Sequence, residues 1–543
     1  MERQRQWLMM AMMATCLAVG FEAWAQEPEL DQAMTPPAEQ AGSAQRPSAP
    51  AARGAGGQAA GQAPAKPTEK KEEPEQPPVV THHSIHLNGR ELKYTATTGL
   101  MPIKNSDGDT EAHIFYIAYT LDNPPADRPL VFAFNGGPGS ASVWLHLGVI
   151  GPRRVKLQPD GEMPRPPFEL VDNDYTWLDQ ADLVFIDPVG TGYSRATKPD
   201  LAKKFWSVEG DIQSVGEFIR LYLTRNQRWN APMFLAGESY GTTRAAGLSG
   251  YLMSHGIALN GVVLVSTVLN FETLEFARGN DLPYVLYLPS YTSTAWYHKK
   301  LPPDLQQRDL SKTLDEVEAW AATDYAAALA KGDALSPEER ASVIDHLARY
   351  TGLSKTYIDE SNLRVEQDHF CAELLRDQGR IVGRLDSRFT GTNHLGVSEG
   401  TDYDPSEAGI RPPFTSMFNN YVRAELGYKS DVEYYILGGG VHGWEWLPSE
   451  RGYGGQGYAN VSPALRDAFV KNPYMKLFVA SGYFDLATPF FATQYTLGHL
   501  GLDARLRGNI STGYYNAGHM VYIDGESLSK LKRDITAFIS GAL

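Results

Sequence analysis

Cysteine is scarce: the 543 residues hold 2, Cys16 and Cys371. Cys16 falls in an N-terminal stretch read below as a removable leader, so one thiol remains and no intramolecular disulfide can form. A secreted eukaryotic enzyme of this size usually carries several bridges, whereas a bacterial periplasmic protein need not. Cationic charge is also in deficit. There are 49 Lys and Arg against 64 Asp and Glu, for a formal net charge of −15. That argues against a nucleic-acid partner, which would require a basic face against phosphate. No H-E-x-x-H or comparable ligand spacing occurs, so a zinc peptidase has no support, and neither metal nor cofactor is expected. No internal repeat is visible.

What is present suits a large soluble core, with 42% hydrophobic residues. Length allows two to four domains, but large α/β enzymes often run long as one domain with insertions. The N-terminus reads as an export signal over 1–25. "MERQRQ" is a basic start, "WLMMAMMATCLAVGF" an apolar stretch too short for a comfortable membrane span, and "AWA" a small-residue site with cleavage after Ala25. An uncleaved anchor is the other reading. Lipidation at Cys16 is disfavoured by Met13 and Thr15 before it. The expectation is a periplasmic or secreted bacterial protein without stable membrane insertion after cleavage. Residues 26–78 are rich in Pro, Ala, Gly and Gln and read as a disordered linker.

Order is expected from 79. "SIHLNGRELKYTAT" has two alternating runs about Asn88-Gly89, a tight-hairpin signal. "AHIFYIAYTL", "PLVFAFNGG", "ADLVFID", "PMFLAGES" and "LNGVVLVST" read as strands, several separated by helical patterns. Strands alternating with helices imply a mostly parallel sheet covered on both faces, so the fold class is α/β. The alternation lapses over 270–430, a mainly helical stretch read as an inserted cap, and returns over 431–543. The core is thus split into 79–269 and 431–543. The aromatic stretch "LPYVLYLPSYTSTAWYHKK" (282–300) fits either a pocket lining or ordinary cap core.

Gly237-Glu238-Ser239-Tyr240-Gly241 fits G-x-S-x-G. The motif is short, but here a strand runs into it and a helix runs out. That strained turn lifts a serine hydroxyl above a sheet. A hydroxyl is a weak nucleophile and needs a base, which needs an orienting group. In α/β-hydrolases the order is Ser, then Asp or Glu, then His. Asp485 in "SGYFDLATP" and His519 in "NAGHMVY" each follow a strand in that order. Acyl transfer also needs donors toward a developing oxyanion. The Tyr240 N–H follows the serine, and Gly137 in "FNGGPGSAS" follows an early strand.

"NGGPGSAS", "DPVGTGYS", "GESYG", "SGYFDLATP" and "AGHMV" stand in the order found in the serine carboxypeptidases, and the chain resembles that family from 135 to 521. The resemblance implies an α/β-hydrolase core with an inserted cap. It implies release of C-terminal residues from peptides with a free C-terminus, without metal. By motif, Ser239 would be the nucleophile, Asp485 the orienting acid, His519 the general base, and Gly137 and Tyr240 the oxyanion hole. Asn135 and Glu238 would hold the substrate's terminal carboxylate, with Glu238 sharing a proton because two ionised carboxylates in contact repel. Departures from the family pattern are Ala133 for a tryptophan, Ser140 for a cysteine, Val149 for an acidic residue, and "GTTRAA" after the nucleophile. They leave open an esterase or acyltransferase on the same scaffold, and a non-catalytic envelope binding protein as a third reading.

Overall fold

Along Leu130–Phe134, Val131 and Ala133 enter one hydrophobic layer while Leu130, Phe132 and Phe134 enter another. The strand is buried on both faces, as a sheet flanked by two helical layers requires. The computed structural model describes residues 75–447 and 457–543, apart from positions 88 and 126. The leader and most of the linker expected over 1–78 lie outside the described residues. The fold described is that of the Lys71–Leu543 unit.

The main sheet has ten strands. Nine lie on one path: β1 (Val79–Leu87), β2 (Arg90–Lys104), β3 (Thr110–Leu121), β4 (Leu130–Phe134), β5 (Asp182–Asp187), β6 (Met233–Ser239), β7 (Gly261–Thr267), β8 (Lys476–Gly482) and β9 (Ile510–Tyr515). Their spatial order is β1-β2-β3-β5-β4-β6-β7-β8-β9. β1 and β2 form a hairpin with Leu87 opposite Arg90, and β2–β3 and β3–β5 are also antiparallel. From β5 to β9 every pairing is parallel. An antiparallel entry followed by this parallel run, with β5 and β4 exchanged in order, is an α/β-hydrolase fold.

The period of two places each strand's apolar residues in both layers. In β5, Leu183 and Phe185 join one layer and Val184 and Ile186 the other; in β7, Val263 and Val265 are opposed by Val262 and Leu264. Helices α1 (Val208–Arg225) and α2 (Tyr240–Ser254) cover the second layer through residues such as Phe218, Tyr222, Leu248 and Leu252. The first layer is covered by Pro405–Ala424 and by the last helix, Gly525–Ala542, whose Leu528, Leu531, Ile535 and Phe538 follow helical spacing.

Between β7 and β8 the described residues form mostly helices, from Leu282–Tyr297 to Ser462–Lys471. The aromatic stretch becomes the first of these helices. Tyr284, Tyr287, Leu288 and Tyr291 are buried in a separate hydrophobic cluster with Leu347, Tyr350 and Phe370.

Candidate active site

β6 passes into α2 with no intervening loop, and Ser239 is the residue at the junction. Its backbone stands at φ 59° and ψ −132°, a left-handed conformation that costs a non-glycine residue roughly 1–3 kcal/mol. The turn closes because Gly237 has no side chain: a Cβ there would collide with the Gly241 carbonyl oxygen. As the first residue of α2, Tyr240 has an N–H with no intrahelical acceptor.

The loop after β4 lies directly against this turn. A Cβ on Gly136 would collide with the Tyr240 backbone nitrogen, so Asn135, Gly136 and Gly137 approach α2 only because position 136 is glycine. Asn135 is held at three points. Its Oδ1 accepts from the Leu145 N–H at 3.0 Å, its Nδ2 donates to Glu238 Oε1 at 2.9 Å, and its carbonyl accepts from Arg244 Nη1 at 2.6 Å. Arg244 is 1% exposed and pairs with the equally buried Asp211 of α1, Nε to Oδ2, at 2.8 Å. The Tyr240 hydroxyl also donates to Asp211, at 3.2 Å. One buried ion pair thus binds α1, the helix after the serine and the β4 loop together.

The other half of the site comes from β8 and β9, two and three strands along. Asp485 is fully buried. It accepts at Oδ1 from the N–H groups of Ala487 (2.8 Å) and Thr488 (2.9 Å), and at Oδ2 from the Thr488 hydroxyl (2.7 Å) and His519 Nδ1 (2.8 Å). An ionised carboxylate only accepts, so it fixes the neutral imidazole's proton on Nδ1 and leaves Nε2 as the basic nitrogen. Burial works against a charged His519, but the Asp485 charge and hydrogen bond, with help from Glu238, prevail and raise its pKa. The His519 backbone is braced from both sides. Its N–H donates to the Leu385 carbonyl at 2.6 Å, and its carbonyl accepts from the Ser266 hydroxyl at 2.5 Å. Asp386 accepts from the Gly518 N–H at 3.0 Å and pairs with Arg388 at 2.6 Å.

Glu238 joins the two halves. It is 3% exposed, and burial raises its carboxyl to a pKa of about 7 against the pull of His519, Tyr522 and Asn135, with Asp485 pushing the same way as burial. The structure therefore brings Asn135, Gly137, Glu238, Ser239 and Tyr240 together at the ends of β4 and β6. It brings Asp485 and His519 together at the ends of β8 and β9, with Glu238 in electrostatic reach of both. Among the described residues, no group of three or more His, Cys, Asp or Glu is placed to hold a metal ion. The single described thiol, Cys371, is buried in the separate helical cluster, where burial pushes its pKa up and leaves it unreactive.

Several neighbours of these residues escape sequence reasoning. Asp211, Asp386 and Arg388 lie outside the quoted motifs, and Arg244, Thr488 and Tyr522 stand within quoted stretches that give them no role. A strap over 434–447 also crosses the site: the Ala141 N–H donates to the Ile436 carbonyl, and the Gly438 N–H donates to the Gly139 carbonyl, both at 3.0 Å. Its Trp444 and Trp446 stand edge-on to the Tyr240 ring at 5.2 and 5.9 Å, and Trp446 meets Phe271 at 4.6 Å. The faint signal was the tryptophan pair itself, after a glycine run.

Residues 88–330 match the family model described as serine carboxypeptidase. Serine carboxypeptidase-like 51 of Arabidopsis thaliana is 31% identical over 208 residues, covering 33% of this chain and 41% of that protein. Serine carboxypeptidase-like 5 of the same plant is 30% identical over 152 residues, 27% of this chain and 33% of the relative. The matches span less than half the length of these curated relatives. The crystal structure of proline iminopeptidase from Mycobacterium smegmatis aligns with 82% of this chain and 98% of its own, at 12% identity and a TM-score of 0.35. Over residues 88–330 the chain is thus similar to the serine carboxypeptidase family.

Proposed function

We propose that the protein is a serine-type carboxypeptidase that removes C-terminal residues from peptides. The observation that carries this reading is Glu238: a buried carboxyl with a pKa raised to about 7, hydrogen-bonded by Asn135 and next in sequence to Ser239. A serine hydrolase acting on neutral esters has no need of a protonatable carboxyl there. An exopeptidase that must hold a second carboxylate does, because the pair can share one proton.

In this reading Ser239 attacks the carbonyl of the terminal peptide bond while His519 accepts its proton at Nε2. Asp485 keeps the imidazole in the required tautomer and stabilises the imidazolium. The N–H groups of Gly137 and Tyr240 take the oxyanion. His519 then protonates the departing amine, an acyl-enzyme remains on Ser239, and water activated by His519 releases it. Asn135 and Glu238 hold the terminal carboxylate and so set which bond reaches the serine. Of the helices between 270 and 430, those that build the separate cluster serve as a cap over this chemistry, while Pro405–Ala424 packs on the sheet. Export follows from the leader over 1–25, with the linker over 26–78 holding the enzyme off a wall or membrane. Among the described residues no helix is long and apolar enough to cross a membrane.

An esterase or acyltransferase is the second reading, favoured by Ala133 and Val149, which withdraw two side chains the family pattern has near the carboxylate. Incubation with a mixed peptide library, followed by mass spectrometry, separates the two. Ladders losing one C-terminal residue at a time, much slower for amidated peptides, are expected. Equal cleavage of free and amidated peptides, or of esters alone, would overturn the carboxypeptidase reading.

A further inference from the structure

We propose that Tyr522 is a third hydrogen-bonding member of the carboxylate receptor, its phenol donating to the substrate's terminal carboxylate beside Asn135 and Glu238. This rests on the carboxypeptidase reading and adds a residue to it.

The starting observation is a pair of orphaned atoms. The Tyr522 hydroxyl and Glu238 Oε2 are both buried, and neither closes a well-formed hydrogen bond. Native proteins rarely leave buried side-chain oxygens unpaired, and each such group calls for an explanation. These two belong to one spot. The Tyr522 phenol reaches the side chains of both Glu238 and Asn135, but its contact with Oε2 falls short of a full hydrogen bond, so both oxygens keep capacity for a further partner. Tyr522 is 2% exposed and lies three residues past His519, so its backbone shares the loop that presents the imidazole. Its ring lies against Gly148, where any Cβ would overlap it.

The chemistry of the orphans is the complement of a carboxylate. An incoming carboxylate offers only acceptors. Protonated Glu238 can donate through Oε2, the phenol can donate a second bond, and Asn135 Nδ2 has a second hydrogen beyond the one given to Glu238 Oε1. Elsewhere in this layer the adjacent positions Ala133 and Val149 are fully buried and apolar, so they supply no donor. A neutral ester or amide terminus would leave one of these donors facing a group that cannot take it. The phenol therefore contributes to selection, not to bond breaking.

Tyr522→Phe removes the hydroxyl and keeps the ring on Gly148. Purified full-length wild type and variant are compared on an N-blocked dipeptide and on its C-terminal amide. The expected result is a loss of about 10- to 100-fold in kcat/KM on the free acid, mainly through KM, with the amide changed less than about 2-fold; this is the range for one buried hydrogen bond to a charged group. Because the Tyr522 phenol lowers the Glu238 pKa, the alkaline decline of peptidase activity should move to higher pH in the variant. Equilibrium binding of an N-blocked amino acid to Ser239→Ala, with and without Tyr522→Phe, should weaken by the same factor without any turnover. Equal losses on acid and amide, an unmoved alkaline limb, or a variant that fails to fold by circular dichroism would each make the hydroxyl structural and overturn the proposal. A wild type that prefers the acid while Tyr522→Phe keeps that preference sinks Tyr522 alone. A wild type indifferent to amidation sinks the carboxypeptidase reading, and this proposal with it.

Discussion

Glu238 can be tested without any substrate, through the stability of the fold. Burial raises its carboxyl from 4.5 to about 7. Between those values the unfolded chain has released the proton and the native chain still holds it. The native state then binds more protons, so stability falls as pH rises, is fully present below the unfolded value and is lost through the folded one. At about 1.36 kcal/mol for each tenfold change in proton affinity, the penalty is about 3 kcal/mol at pH 8 and about 1 kcal/mol at pH 5. That is a large fraction of a typical domain stability of roughly 5–15 kcal/mol. Glu238→Gln keeps the shape and an oxygen for Asn135 but cannot ionise. The variant should therefore be about 2–3 kcal/mol more stable than wild type at pH 8, with most of that gain gone at pH 5. Urea unfolding followed by circular dichroism at the two pH values measures both differences. A gain that is the same at pH 5 and pH 8, or a loss at pH 8, would show that Glu238 is not held protonated by burial. The proton-sharing role argued for it would then lack its physical basis. If the prediction holds, the wild type carries a destabilising carboxyl beside Ser239, as expected where a site is kept for chemistry at the expense of the fold.

Ser239→Ala should leave the fold intact, abolish labelling by a fluorophosphonate, and lower turnover by roughly 10⁴- to 10⁶-fold, with His519→Ala comparable and Asp485→Asn milder; persistent labelling would put the nucleophile elsewhere. Arg244→Met strands Asp211 in the interior and should cost about 3–5 kcal/mol in urea unfolding, while Asp211→Asn with Arg244→Met should recover most of it. A cost below about 1 kcal/mol for the single variant would mean that the pair is not the clamp between α1, α2 and the β4 loop.

The sheet is legible in sequence because its signals are local. Each parallel strand is a short apolar run bounded by turn residues, and Asn88-Gly89 marks the hairpin by itself. The turn at Ser239 is legible for the same reason: strand, glycine, serine, glycine and helix are contiguous, and the glycines are there because neighbouring backbone leaves no room at Gly237 and Gly136. Asp485 and His519 are legible only through their order along the chain and their position past a strand. The 2.8 Å contact between them depends on β8 and β9 lying side by side. The aromatic stretch at 282–300 marks the limit of composition. Its residues fit a pocket wall or a packed helix equally well; most of them are buried, and Tyr284, Tyr287 and Tyr291 join the cluster with Tyr350 and Phe370.

What sequence does not disclose is the support behind the site, and the reason is separation. Asp211 and Arg244 are 33 residues apart on different helices, and Asp386 reaches Gly518 across 132 residues. No periodicity or motif links such positions, because packing of the finished layers brings them together. Arg244 stands inside "GTTRAA", one of the departures from the family pattern, where the sequence shows only that something differs. In the fold its guanidinium holds the Asn135 carbonyl, the peptide leading into Gly136 and Gly137. Tyr522 is hidden in the same way, just past the "AGHMV" match. A departure can thus weaken an inference drawn from motifs while the structure supplies a replacement contact from a residue the motif does not contain. Whether the replacement restores recognition of a free carboxylate is decided by how the acid and amide substrates respond to one missing hydroxyl.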